Sequence, residues 1–135
     1  MPLLEWSPGL DVGVTDFNQQ HQRLIGMVNE LHTAMMEGKG SRVIGDVLKE
    51  MRDYTAYHFG SEEKLMTEKG YPALQTHRAE HQAFVAKVDD LTSRYQQGSL
   101  SLSVETLNFL KDWLVHHIQG TDKAYKDFFA KAGVR

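Results

Sequence analysis

The sequence contains no cysteine. Disulfide frameworks, thiolate zinc sites and cysteine-ligated iron–sulfur clusters are therefore excluded, and only oxygen and imidazole donors remain for a metal. Proline is nearly as scarce: Pro2, Pro8 and Pro72 leave residues 9–71 and 73–135 free of the residue that a helix interior cannot hold. No run of about 20 apolar residues occurs, and the opening MPLLEW lacks a basic segment ahead of an apolar one. No membrane insertion and a cytoplasmic location are expected. Basic excess is also missing, because 15 Lys and Arg stand against 18 Asp and Glu for a net charge of −3. Nucleic-acid binding has no electrostatic footprint here. What is present is 135 residues with 41% hydrophobic content, the size of one domain that can build a core without staples.

Glycine falls where punctuation is needed, at Gly9 and Gly13, Gly38 and Gly40, Gly70 before Tyr71-Pro72, and Gly98. Four helical segments are predicted, about 17–37, 41–69, 73–97 and 103–120, with a short helical tail near 122–131. Apolar spacing supports them. Phe17, His21, Leu24, Val28, Leu31 and Met35 advance by alternating fours and threes, the pattern of one buried seam. Leu74, His77, His81, Phe84, Val88, Leu91 and Tyr95 repeat it. The second segment contributes Ile44, Val47, Met51, Tyr54, His58, Glu62 and Leu65, and the fourth Leu107, Leu110, Leu114 and His117. Short connections favour antiparallel neighbours, so the expected fold is all-α, an up-down-up-down antiparallel four-helix bundle with an N-terminal arm and a short C-terminal helix. One domain over residues 1–135 is expected, with an arm at 1–16, the bundle at about 17–120 and the tail at about 121–135.

Those seams hold five histidines and a glutamate where leucine would serve stability better. An unpaired carboxylate in a core costs several kcal/mol, so these groups require compensation. His58 and Glu62, like His77 and His81, are four residues apart, one turn along one face. Each pair can share a metal, and every seam brings at least one histidine inward. His32 and His116 lie away from this set, at the surface or behind it. Asp122 is a different case. On a regular helix it stands about 100° or more out of phase with His117, so it is either an N-cap for the tail or a core carboxylate returned by a bulge or break, expected near Gly120.

Five imidazoles and two carboxylates exceed the four ligands of a structural zinc and suit two irons. If both carboxylates and a solvent-derived oxo or hydroxo group bridge, one iron with three histidines is six-coordinate. The other, with two, is five-coordinate and open. Such a ferrous pair can bind a small diatomic end-on and reduce it by two electrons.

Val12-Gly13-Val14, Gln20-His21-Gln22, Asn29-Glu30-Leu31, His58-xxx-Glu62, His77-xxx-His81 and Trp113-Leu114-xx-His117-Ile118-xxx-Asp122 closely resemble the hemerythrins, specifically the single-domain bacteriohemerythrins. The resemblance spans nearly the whole chain. It implies His77, His81 and His117 on the six-coordinate iron, His21 and His58 on the open one, and Glu62 and Asp122 bridging. It implies reversible O2 binding and an O2 pocket made of Leu24, Phe59, Trp113, Leu114 and Ile118. One departure stands out: members commonly carry Asp three residues before the first histidine, and this chain has Asn18. If that group orients His21, an amide would do so less strongly, changing oxygen affinity or stability toward oxidation.

Rival functions fit less well. No Glu-x-x-His occurs, as a ferritin-like oxidase would need. His77-Arg78-Ala79-Glu80-His81 matches the H-x-x-E-H of a zinc protease but leaves His21, His58 and His117 unexplained. A sensor of O2, NO or redox state acting through a partner in trans is the alternative. Without an attached output domain, an oxygen carrier, storage or delivery role is favoured over both sensor and enzyme, in a monomer whose partner is an O2-consuming enzyme or a reductase. Tyr125, Phe128 and Phe129 are read as the packed side of the tail helix, with Lys123, Lys126 and Lys131 solvated.

Overall fold

The computed structural model describes residues 4–98 and 102–135; the first three residues of the arm and the connection at 99–101 lie outside the described residues. The four predicted segments are helices: α1 (Thr15–Met36), α2 (Gly40–Lys69), α3 (Leu74–Gln96) and α4 (Leu102–His116), and a short α5 (Lys126–Lys131) closes the chain. Among the described residues there is no strand. α1 packs against α2 and α4, α2 against α3, and α3 against α4, the ring of an up-down-up-down bundle.

Local chemistry sets the ends. α2 stops at Gly70, whose φ of 72° is left-handed backbone that other residues rarely adopt. There the Tyr71 N–H donates to the Met66 carbonyl at 2.9 Å, and Pro72 then prevents continuation. In the first turn of α1, the Asn18 side chain accepts from the Val12 N–H at 3.0 Å and donates to Asp11 at 2.8 Å, folding the arm back onto the bundle. Asn29 holds the arm further out through two hydrogen bonds with Leu4, of 2.9 and 2.8 Å.

The bundle interior is divided along its length. Toward the α1–α2 turn it is apolar, with Val28, Leu31, Ile44, Leu48, Val88, Leu91 and Leu110 buried. The opposite end is plugged by aromatic rings: Tyr125 packs edge-on to Phe17 at 5.9 Å and against Phe129 at 4.9 Å, while Tyr71 lies 6.1 Å from Phe129. Burying a ring such as Phe129 contributes roughly 1.5–3 kcal/mol. Between the two ends lies the polar layer. α2 departs from its predicted seam, since Tyr54 and Leu65 are only half-buried while Leu48, Thr55 and Met66 are buried. Leu48, Thr55, Phe59 and Met66 each follow a predicted seam residue by one position, so the buried face of α2 is wider than a single seam and extends to its neighbouring row.

The tail follows α4 through an irregular passage. Residues His117–Asp122 form a single π-helical turn, and Lys123–Tyr125 a 3₁₀ turn, before α5. The irregularity expected between His117 and Asp122 is present and includes Gly120. Its extra residue brings Asp122 inward, where it is fully buried.

Candidate metal centre

The seven polar residues singled out in the sequence converge in the polar layer. His21 comes from α1, His58 and Glu62 from α2, His77 and His81 from α3, and His117 and Asp122 from the π turn. All are buried, none more than 3% exposed. They form two overlapping groups whose donor atoms lie within 4.8 Å of one another: Glu62, His77, His81, His117 and Asp122 in one, His21, His58, Glu62 and Asp122 in the other.

The carboxylates belong to both groups, and each divides its oxygens between them. Glu62 turns Oε2 toward His21 and His58, at 3.6 and 3.5 Å from their Nε2 atoms, and Oε1 toward His77 and His81, at 3.5 and 3.2 Å. Asp122 turns Oδ2 toward His21 at 3.0 Å and Oδ1 toward His77 and His117 at 2.7 and 3.0 Å. Two donors about 2.1 Å from one first-row ion and at right angles to each other lie about 3.0 Å apart, so these spacings fit shared ions.

Satisfaction of the same atoms supports the fit. Nε2 of His21, His77, His81 and His117, Oε1 of Glu62 and both oxygens of Asp122 are buried without a correctly aligned hydrogen-bond partner. Orphaned polar atoms are rare in folded cores and costly. A cation at each group would satisfy them together. Imidazole and carboxylate without thiolate is a donor set suited to non-haem iron.

Charge is strongly coupled across the cluster. Burial alone would push the Asp122 and Glu62 carboxyls upward. For Asp122, Glu62 adds to that push, but His117 and His21 outweigh both and hold it well below its ordinary range. For Glu62, His58, His21, His77 and His81 reverse the effect of burial in the same way. Burial likewise pulls His21 and His77 down, yet Asp122 and Glu62 raise both to about 9. His58 is dominated by its burial and falls to about 4.

Around the donors stands a second set of residues that helical spacing alone does not mark as part of the site. The His58 Nδ1–H meets Gln20 Oε1 at 2.5 Å, and the His81 Nδ1–H meets Glu63 Oε2 at 2.9 Å. His117 Nδ1 lies 3.5 Å from Glu80 Oε1, and the Thr121 hydroxyl donates to the same carboxylate. The Tyr125 hydroxyl donates to Glu62 Oε2 at 2.7 Å. Tyr125 thus does more than pack, and the sequence signal for it is a phenol among phenylalanines at a core position. Asn18 makes no hydrogen bond to His21: its amide is used by Val12 and Asp11, and His21 Nδ1 has no hydrogen-bond partner.

The five apolar pocket candidates divide by position. Leu114 and Ile118 line a cavity of about 120 Å³ together with Leu4, Leu10 and Ile25. Phe59 stacks on the His81 ring at 3.8 Å, Trp113 on the His117 ring at 4.3 Å, and Leu24 is buried in the core. His32 and His116 stand outside both donor groups, half-buried and exposed respectively. In the tail Tyr125 and Phe129 are fully buried; Lys131 is exposed, whereas Lys123 and Lys126 are half-buried. Among the described residues no helix is long and apolar enough to cross a membrane.

Residues 12–129 match the Hemerythrin HHE cation binding domain. A bacteriohemerythrin of Stenotrophomonas maltophilia is 41% identical over 94% of this chain and 82% of its own. One of Methylococcus capsulatus is 38% identical over 93% of this chain and 95% of its own. The crystal structure of a wild-type hemerythrin superposes with a TM-score of 0.84, at 35% identity, covering 93% of this chain and 96% of that one. With a matching domain over most of its length and relatives at this identity, the chain belongs to the hemerythrin family.

Proposed function

We propose that this protein holds two iron ions and binds O2 reversibly at one of them, as a carrier, storage or delivery protein and not as an enzyme. The observation that carries the reading is the division of oxygens within Glu62 and Asp122, each facing both histidine groups. His77, His81 and His117 would hold one iron and His21 and His58 the other, with Glu62, Asp122 and an oxo or hydroxo group bridging. When bound, the pair supplies two electrons and one open coordination position to a diatomic ligand.

The remaining work falls to the chain. Leu114 and Ile118, both buried and lining the cavity beneath the arm, limit water and proton access. The Tyr125 hydroxyl holds its proton toward Glu62 Oε2, and burial with the nearby Glu62 and Asp122 pushes its pKa well above the ordinary value. Family membership supports O2 as the partner, with an O2-consuming enzyme or a reductase beyond it. The test is an anaerobic-to-aerobic optical titration with iron quantitation. Two irons per chain and a spectrum that appears with O2 and reverses under argon are expected; irreversible bleaching, or turnover of O2 with a reductant, would refute the carrier reading.

A further inference from the structure

The residues behind the histidines are distributed unequally. Of the three histidines in the larger group, two face carboxylates through Nδ1: His81 faces Glu63 at 2.9 Å and His117 faces Glu80 at 3.5 Å, while His77 Nδ1 has no partner. In the smaller group His58 faces only the neutral amide of Gln20 at 2.5 Å, and His21 Nδ1 has no partner. Both carboxylates are fixed in place. Arg78 Nε donates to Glu63 Oε1 at 2.8 Å, and the Thr121 hydroxyl lies 2.6 and 2.8 Å from the two oxygens of Glu80.

A carboxylate that accepts the Nδ1 proton of an imidazole raises the electron density at the opposite nitrogen and makes it a stronger ligand; an uncharged amide does this less. The shared carboxylates Glu62 and Asp122 serve both groups, so they cannot account for a difference between them. The larger group also has one histidine more than the smaller, and the residues behind add a second difference in the same direction. Arg78 takes up part of the Glu63 charge, but its side chain is 37% exposed and solvent screens it, whereas His81 is 2% exposed.

We propose that Glu63 and Glu80 are positioning residues that widen the inequality of the two metal pockets, so that the three-histidine pocket holds its ion more tightly and releases it last. The inference rests on the two-iron reading above. It also gives the four side chains Gln20, Glu63, Glu80 and Thr121 a single purpose. The pocket that must stay rigid and fully ligated is backed by charge, and the one with the open position by a neutral group.

The experiment uses the iron-loaded protein, with iron content measured first. An excess of a ferrous chelator is added without oxygen, and the coloured chelate is followed with time. Two phases of equal amplitude are expected. Glu63→Gln combined with Glu80→Gln should speed the slow phase about tenfold or more and leave the fast phase unchanged, in line with the 10–100-fold that such supporting groups contribute. Gln20→Glu should slow the fast phase, a gain in retention that damage to the fold cannot imitate. A single phase in the native protein at two irons per chain, or a slow phase unmoved by the double substitution together with a fast phase unmoved by Gln20→Glu, would overturn the proposal while leaving the two-iron reading intact. Native protein that holds fewer than two irons would overturn both.

Discussion

Replacing Tyr125 with Phe removes one oxygen atom and one hydrogen bond while leaving the packing of the ring in place. Tyr125 is fully buried; its ring stacks on His77 at 5.7 Å and packs against Phe17, Tyr71 and Phe129, contacts that a phenylalanine keeps. The lost bond is the one to Glu62 Oε2 at 2.7 Å. Glu62 is itself fully buried, so water cannot replace the donor without opening the aromatic plug. A hydrogen bond to a charged acceptor contributes about 1.5–3 kcal/mol. At about 2–4 °C per kcal/mol, the scale for somewhat larger domains, the melting temperature of the metal-free protein should fall by roughly 3–12 °C. Thermal denaturation followed by circular dichroism measures this. A double-mutant cycle with Glu62→Met, which removes the acceptor at similar length, separates the bond from the rest, since the two effects should be strongly non-additive if the contact is real. A Tyr125→Phe protein that melts at the native temperature would refute the claim that this phenol stabilises the buried carboxylate.

Leu114→Ala should leave iron content unchanged, because no donor is touched, at a packing cost of about 2–5 kcal/mol; faster autoxidation and quicker azide binding in stopped-flow spectra are expected, and unchanged rates would place the gate elsewhere. Deleting Gly120 should convert the π turn to regular helix and put the aspartate one turn from His117, so two irons should still bind, whereas inserting an alanine after Gly120 should carry Asp122 out of the cluster and lower iron content. In the metal-free protein, burial works against protonation of His21 and His77, but Asp122 and Glu62 raise both to about 9. The stability this contributes is fully present below the ordinary imidazole value of 6.5 and is lost as pH rises through about 9. Melting temperature should therefore decline across that window, while Glu62 and Asp122, held below their ordinary range, contribute no slope there. Loading with iron near neutral pH should release protons from the same histidines, measurable with an indicator in weak buffer.

The donors were legible in the sequence because they occupy seam positions: a histidine or glutamate in a run of leucines and valines is conspicuous at helical spacing. Asp122 was legible for the opposite reason, since only a helix defect could bring it to His117, and the π turn is that defect. The supporting residues were not legible. Gln20 and Glu63 are chain neighbours of donors, yet each serves a histidine on another helix, 38 and 18 residues away. Such pairings depend on how adjacent helices are rotated, which one-dimensional spacing does not encode. The α2 seam missed Thr55 and Met66 for a related reason, because which row beside a seam is covered depends on how the neighbouring helices sit against it.

The central claim, a pair of unequal iron sites sharing Glu62 and Asp122, is tested most directly by Mössbauer spectroscopy of the reduced protein enriched in iron-57, with metal quantified on the same sample. Two irons per chain and two ferrous doublets of equal area, one for each histidine group, are predicted. One metal per chain, zinc in place of iron, or a single environment for all the iron would contradict the account.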